Sequence, residues 1–208
     1  MSNTEEQLDA LADIRLMMQR SSRFLSLSGL SGVAAGLCAL VGAAAVPYYC
    51  GIPLFGNISE SAHVRTYDEL LHFLLIDAFL VLVSALSLGF FFSKRKAQRN
   101  GERLFGPASV QFTLNLAVPL AVGGLFCLLL IANHASDLVA PATLVFYGIT
   151  LFSAGKFTLD EVRYLGVCEM VLGLLSAWFM GYGLLFWALG FGVLHIVYGL
   201  IMWNKYER

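Results

Sequence analysis

Six runs of apolar residues, each close to the length that crosses a bilayer, divide this chain, and short charged segments separate them. They cover roughly 24–46, 70–92, 111–133, 138–155, 162–180 and 184–203. About 20 apolar residues in an α-helix span ~30 Å of hydrocarbon, where every backbone polar group must be satisfied within the segment. The pattern predicts an all-α polytopic membrane protein: one six-transmembrane-helix bundle over 24–208, preceded by a cytoplasmic amphipathic helix at 1–23. Composition agrees, because 13% of residues are charged where a soluble domain carries about 25%. Too little chain remains between the runs to build a second domain.

Lys and Arg in short loops set orientation. Of the 13 in the chain, only Arg65 falls on one side, leaving twelve on the other, from Arg15 to Arg208. Both termini are expected in the cytoplasm and the 47–69 loop outside, in keeping with an even number of spans. The N-terminal segment has acids before its bases and no small-residue cleavage site, so it does not read as a secretory signal. Thr4-Glu5-Glu6-Gln7 fits a capping box, and Leu8, Leu11, Ile14 and Met18 follow at helical spacing.

The densest information lies between 165 and 203. Two spans are joined by the turn Gly181-Tyr182-Gly183, the first with a single acid, Glu169, and the second with a single imidazole, His195. Gly166, Glu169, Gly173 and Ser176 share one helix face; Ala188, Gly192, His195 and Gly199 share one on the other. Small residues let helix backbones approach closely, so the two stripes are expected to face each other. The first span repeats the pattern with Gly29, Gly32 and Gly36. Glu169 and His195 lie ~9 and ~12 Å from the cytoplasmic boundary at 1.5 Å per residue, and the hairpin makes them neighbours, so they are expected to interact.

Asn115 falls at the same depth and completes an expected inner polar layer with Glu169 and His195. His72 and Asp77, in the second span, form an expected outer layer, Asp77 lying about 12 Å below Glu69. Ionisable residues at such depth are costly and point to function. A hydrogen-bonded clamp and a proton or ion path are both open readings. Glu69-x-x-His72 resembles a carboxylate–imidazole metal pair, but Thr66-Tyr67-Asp68-Glu69 fits a capping box, as does Thr158-Leu159-Asp160-Glu161. His72, Asp77 and His195 lie at different depths, which counts against a metal-dependent hydrolase. No metal, cofactor or catalytic residue is expected. The cysteines Cys38, Cys127 and Cys168 sit inside apolar runs as packing groups, with no CxxC pair.

Membrane lipid is the expected environment, and Phe146, Tyr147, Phe152, Tyr182, Phe186, Trp187 and Trp203 read as aromatics, several suited to its interfaces. The basic loop 94–103 reads as a topology determinant touching anionic lipid and has no folded scaffold for nucleic acid. A small proton- or ion-coupled transporter or channel-like protein is the leading expectation. A non-catalytic sensor or assembly partner, meeting another protein at the cytoplasmic face through the N-terminal helix and the basic loop, is the alternative, and a membrane metal-dependent hydrolase stands third. The stretches Arg23-Phe24-Leu25-Ser26-Leu27-Ser28-Gly29-Leu30-Ser31-Gly32 and Gly181-Tyr182-Gly183-Leu184-Leu185-Phe186-Trp187 through Gly199 resemble those of uncharacterised small six-helix bacterial inner-membrane proteins. That resemblance implies a bacterial inner membrane and nothing about substrate.

Overall fold

The computed structural model describes residues 26–50, 67–101 and 106–208, and among them the chain is helical with no strand. The N-terminal helix expected at 1–23 with its capping box, Thr66 of the Thr66–Glu69 capping box and most of the outer loop lie outside the described residues. Six helices follow: α1 (Gly29–Cys50), α2 (Tyr67–Asn100), α3 (Pro107–Ala132), α4 (Val139–Ala154), α5 (Asp160–Trp178) and α6 (Gly183–Tyr206). Short 3₁₀ turns, Ser136–Leu138 and Gly155–Phe157, flank α4.

Five of these helices, all but α5, are long and apolar enough to cross a membrane. α5 differs because Asp160, Glu161, Arg163 and Glu169 lie within its 19 residues. Large apolar side chains face outward along the others, among them Ile76, Phe79, Leu80, Val118, Leu125 and Leu129. A continuous apolar surface of that extent is untenable in water and ordinary against lipid tails. α2 has 34 residues, so it is about 51 Å long at 1.5 Å per residue. The basic stretch expected as a loop is therefore mostly helix, since Lys94 to Arg99 continue α2. Ala, Lys, Arg and Gln are good helix formers, and nothing in the stretch stops the helix before Gly101, at φ 65.

The helices sort into two groups of three. α1 packs against both α2 and α6, while α4 packs against both α3 and α5. Within each group backbones meet at glycines. A Cβ on Gly199 would lie 2.6 Å from Val33 N and 2.7 Å from Gly29 O, and one on Gly36 would lie 2.6 Å from Gly192 O. Likewise a Cβ on Gly148 would lie 2.6 Å from Gly166 O, and one on Gly173 would lie 2.9 Å from Val145 N. The glycines of the two stripes thus do not face each other. The α5 stripe turns to α4, and the α6 stripe turns to α1, where Gly29, Gly32 and Gly36 meet it.

Polar groups tie the first group together at one end. Glu207, just past α6, accepts from Ser28 Oγ at 3.0 Å and from the Gly29 backbone N–H at 2.5 Å. It thereby caps the otherwise unpaired N–H groups that open α1. Lys96 on α2 donates to Leu27 O at 2.8 Å and lies 3.4 Å from Glu207. Between the groups, Leu151, Leu159, Val162 and Leu165 form a buried cluster with Met202 of α6.

Candidate functional site

His195 sits at the end of a π-helical stretch, Ala188–Leu194, that widens α6 by one residue in its turn. Such stretches are rare and concentrate at functional positions. The widened turn presents the Gly190 carbonyl 3.0 Å from His195 Nδ1. A carbonyl only accepts, so in the neutral ring Nδ1 carries the hydrogen and Nε2 is bare. Tyr147 O–H on α4 then donates to Nε2 at 2.8 Å. The Tyr147 and Phe191 rings stack against the imidazole, at 5.4 and 6.0 Å between centroids.

Glu169 on α5 completes the site. Its carboxyl is 0% exposed, and Oε1 lies 3.4 Å from His195 Nδ1. The Nδ1 hydrogen points to Gly190, however, and neither oxygen of Glu169 has a hydrogen-bond partner among the described residues. Gly190 makes the space for it: a Cβ there would run into Glu169 Oε2 and reach Leu144 Cδ2 at 2.5 Å. Three helices therefore meet at one buried carboxyl, one imidazole and one phenol. One turn-pair further along the same face, Ser176 is likewise buried with its hydroxyl unpartnered.

Asn115 does not join them. Its amide donates to Gln111 O at 2.9 Å and its oxygen accepts from Ser153 at 3.3 Å. α4 stands between α3 and the other two helices, so equal depth does not bring Asn115 to the site. Nor do His72 and Asp77 form a layer. His72 is exposed and its Nδ1 bonds to the Asp68 carbonyl of its own helix at 2.6 Å. Asp77 is half-buried over Gly42 of α1, and a spacing of five puts the two on different faces of α2. Among the described residues no group of three or more His, Cys, Asp or Glu is placed to hold a metal ion.

Glu161 makes no capping box. The N-cap of α5 is Leu159, without a side-chain cap, and Glu161 reaches α6 instead, accepting from Lys205 at 2.6 Å and from Tyr206 at 3.1 Å. Burial alone would raise its carboxyl, but those hydrogen bonds and the Lys205 charge outweigh it and hold Glu161 below the ordinary range. Tyr147 and Gly190 were the members of the site that sequence reasoning missed. Tyr147 reads from sequence as one of a set of aromatics, several suited to the interfaces, yet it shares a face of α4 with Leu144, Leu151 and Ala154, all buried, and that period is the available signal.

No family model, curated protein or solved structure matches the chain.

Proposed function

We propose that the chain is a six-span protein of a bacterial inner membrane, with Glu169 and His195 as the proton-binding centre of a small proton-coupled transporter. The observation that carries this reading is the fully buried Glu169 carboxyl with no hydrogen bond among the described residues, 3.4 Å from an imidazole that bonds elsewhere. A structural clamp is built to satisfy its groups, and more than about 90% of buried polar groups are satisfied. An ionised carboxylate left bare in an apolar interior is expensive. A group that gains and loses a proton cannot be matched to fixed donors in both states. The nearby π stretch, with Gly190 and Gly192 inside it, supplies a helix segment with more than one available register.

The sixth span is α5, about 162–180, whose Glu169 is sheltered by its neighbours rather than facing lipid. The distribution of Lys and Arg supports both termini in the cytoplasm; reporter fusions after residue 208 and at residue 57 should read oppositely. For the proton centre, the protein is reconstituted into liposomes containing a pH dye, and a potential, negative inside, is imposed. Inward proton movement should exceed that of empty liposomes and fall to their level in Glu169→Gln. Equal rates for parent and variant sink the reading.

A second reading, a membrane assembly partner, draws on α2, which among the described residues packs chiefly against α1 and leaves the large apolar side chains Leu75, Ile76, Phe79, Leu80 and Leu86 exposed. Lys96 is already committed to Leu27 and Glu207, so a partner would meet the apolar length of α2 rather than that lysine. Crosslinking through cysteines placed on its outer face tests it.

A further inference from the structure

Asp77 is the one acid of α2 beyond its first turn, and it is placed unlike Glu169. Its two carboxyl oxygens lie 3.1 and 3.3 Å from the position that a Cβ on Gly42 would take, so the carboxyl rests directly over the α1 backbone. It is half-buried, its helix neighbours Ile76, Phe79 and Leu80 are exposed, and it has no hydrogen-bond or ion-pair partner among the described residues. One helical turn nearer the outer end, Phe73 stacks on Tyr49 of α1, with ring centroids 4.4 Å apart, and Tyr49 keeps 47% of its surface exposed. Acid and rings share one face, because Phe73 precedes Asp77 by four residues.

We propose that Asp77, Gly42 and the Tyr49–Phe73 pair form a second site, open to the bilayer, that binds a hydrophobic organic cation in exchange for the proton on Asp77. The inference rests on the membrane placement of α1 and α2 given above, and not on proton coupling at Glu169. A carboxyl alone in hydrocarbon is costly as an anion, so the empty site holds a proton. A cation with an apolar body supplies the missing charge and brings no large dehydration cost of its own. The aromatic faces add attraction for a cation within about 6 Å. A divalent metal ion takes six or more oxygen ligands, and this site offers one carboxyl. Among the described residues the charged groups around it are few. α1, the helix packed there, contributes Cys38, Tyr48 and Tyr49 but no acid or base, and α2 contributes Asp68, Glu69 and His72 toward its outer end. The first basic residue along α2 after Asp77 is Lys94, about 26 Å away at 1.5 Å per residue.

The probe is tetraphenylphosphonium, bound at equilibrium to the full chain in nanodiscs of neutral lipid. Binding should saturate near one per chain and weaken as pH falls, because protonation of Asp77 removes the counter-charge. Asp77→Asn should weaken it by about tenfold or more, the loss of roughly one strong interaction, while Glu169→Gln should leave it unchanged. Phe73→Leu, which keeps the acid and an apolar side chain, should weaken it severalfold and serves if Asp77→Asn fails to fold. A hydrophobic carbodiimide should modify Asp77 in the parent, as read by peptide mass, and the cation should protect it. Binding that survives Asp77→Asn, that is matched by an uncharged tetraphenyl analogue, or that does not saturate overturns the proposal. Absence of saturable cation binding in the parent, with Glu169-dependent proton movement intact, would overturn this site and leave the first reading standing.

Discussion

Replacing Gly199 by Ala tests the close approach of α1 and α6. The new Cβ would stand 2.6 Å from Val33 N, 2.7 Å from Gly29 O and 3.0 Å from Val33 Cγ2. Ordinary carbon contacts lie near 3.5–4.0 Å, so the helices must part by about 1 Å. Two of the three atoms belong to backbone, which cannot turn aside as a rotamer does. Parting also loosens the crossings at Gly32 and Gly36, where a gap of this size forfeits a quarter to a half of each contact's attraction. Overpacking of this kind costs roughly 1–3 kcal/mol. Ala is a better helix former than Gly by about 1 kcal/mol, which masks part of the loss, so the comparison needs a matched control. Gly89→Ala provides one, since Gly89 lies inside α2 and a Cβ there meets nothing within 4 Å. The propensity gain is common to both, and their difference isolates the crossing. In thermal unfolding in a mild detergent, Gly199→Ala should melt below Gly89→Ala by roughly 2–4 °C for each kcal/mol. Equal melting temperatures would refute the backbone contact between α1 and α6.

Glu169→Gln, His195→Gln and the double variant should give non-additive losses in the same assay, with a coupling of roughly 0.5–3 kcal/mol; additive losses would mean that the two residues serve separate partners. Glu161, held below its ordinary range, contributes stability that is complete above about pH 4.5 and is lost as pH falls through its folded value. Unfolding midpoints of the parent should therefore drop on acidification below that point more steeply than those of Glu161→Gln, with a modest difference because Lys205 is 58% exposed; parallel curves refute it. Glu207→Ala uncovers the start of α1 and leaves Lys96 without its carboxylate, so it should lower stability by about 1–2 kcal/mol, as read from the same melting curves, whereas an unchanged midpoint would show that solvent caps α1 equally well.

The parts of this fold that were legible in the sequence are those governed by distance along the chain. Helix rise is fixed, so apolar length locates the helices, and the Gly181-Tyr182-Gly183 turn makes α5 and α6 antiparallel. Equal depth then brings Glu169 and His195 to one level, and the structure places them 3.4 Å apart. Depth is one coordinate, however, and says nothing of lateral order. Asn115 shares the level and is kept out by α4. The glycine stripes of α5 and α6 show that close neighbours exist but not which helix each one meets. The capping box expected at Thr158–Glu161 fails for a different reason. Glu161 has the right spacing from Thr158, but Lys205 and Tyr206 arrive from 44 and 45 residues away and offer it stronger partners than its own helix start.

That lateral order bears on the chemistry. α1 and α6 meet through backbone at Gly29, Gly36 and Gly199, and α4 and α5 through Gly148, Gly166 and Gly173, while α2 reaches α1 at Gly42 and α3 reaches α4 at Gly123 with side chains on the facing helix. The crossings with facing backbone are unforgiving, because backbone cannot turn aside as a side chain does. Between the two groups the contacts are of another kind. Tyr147 bonds to His195, Glu169 lies beside His195, Cys168 meets Tyr198 at 3.5 Å, and Glu161 accepts from Lys205 and Tyr206. Side chains make this seam, and hydrogen bonds and ion pairs carry much of it. A proton gained or lost at Glu169 therefore changes the balance where the two groups meet, not inside either of them. The π stretch lies on the same seam, with Gly190 against Glu169 and Gly192 against Leu40 of α1, so the one irregular turn of α6 touches both groups. The buried carboxyl and the backbone irregularity coincide at the boundary between the two helix groups, so proton binding at Glu169, as proposed, would act where a change of state costs the fewest tight contacts.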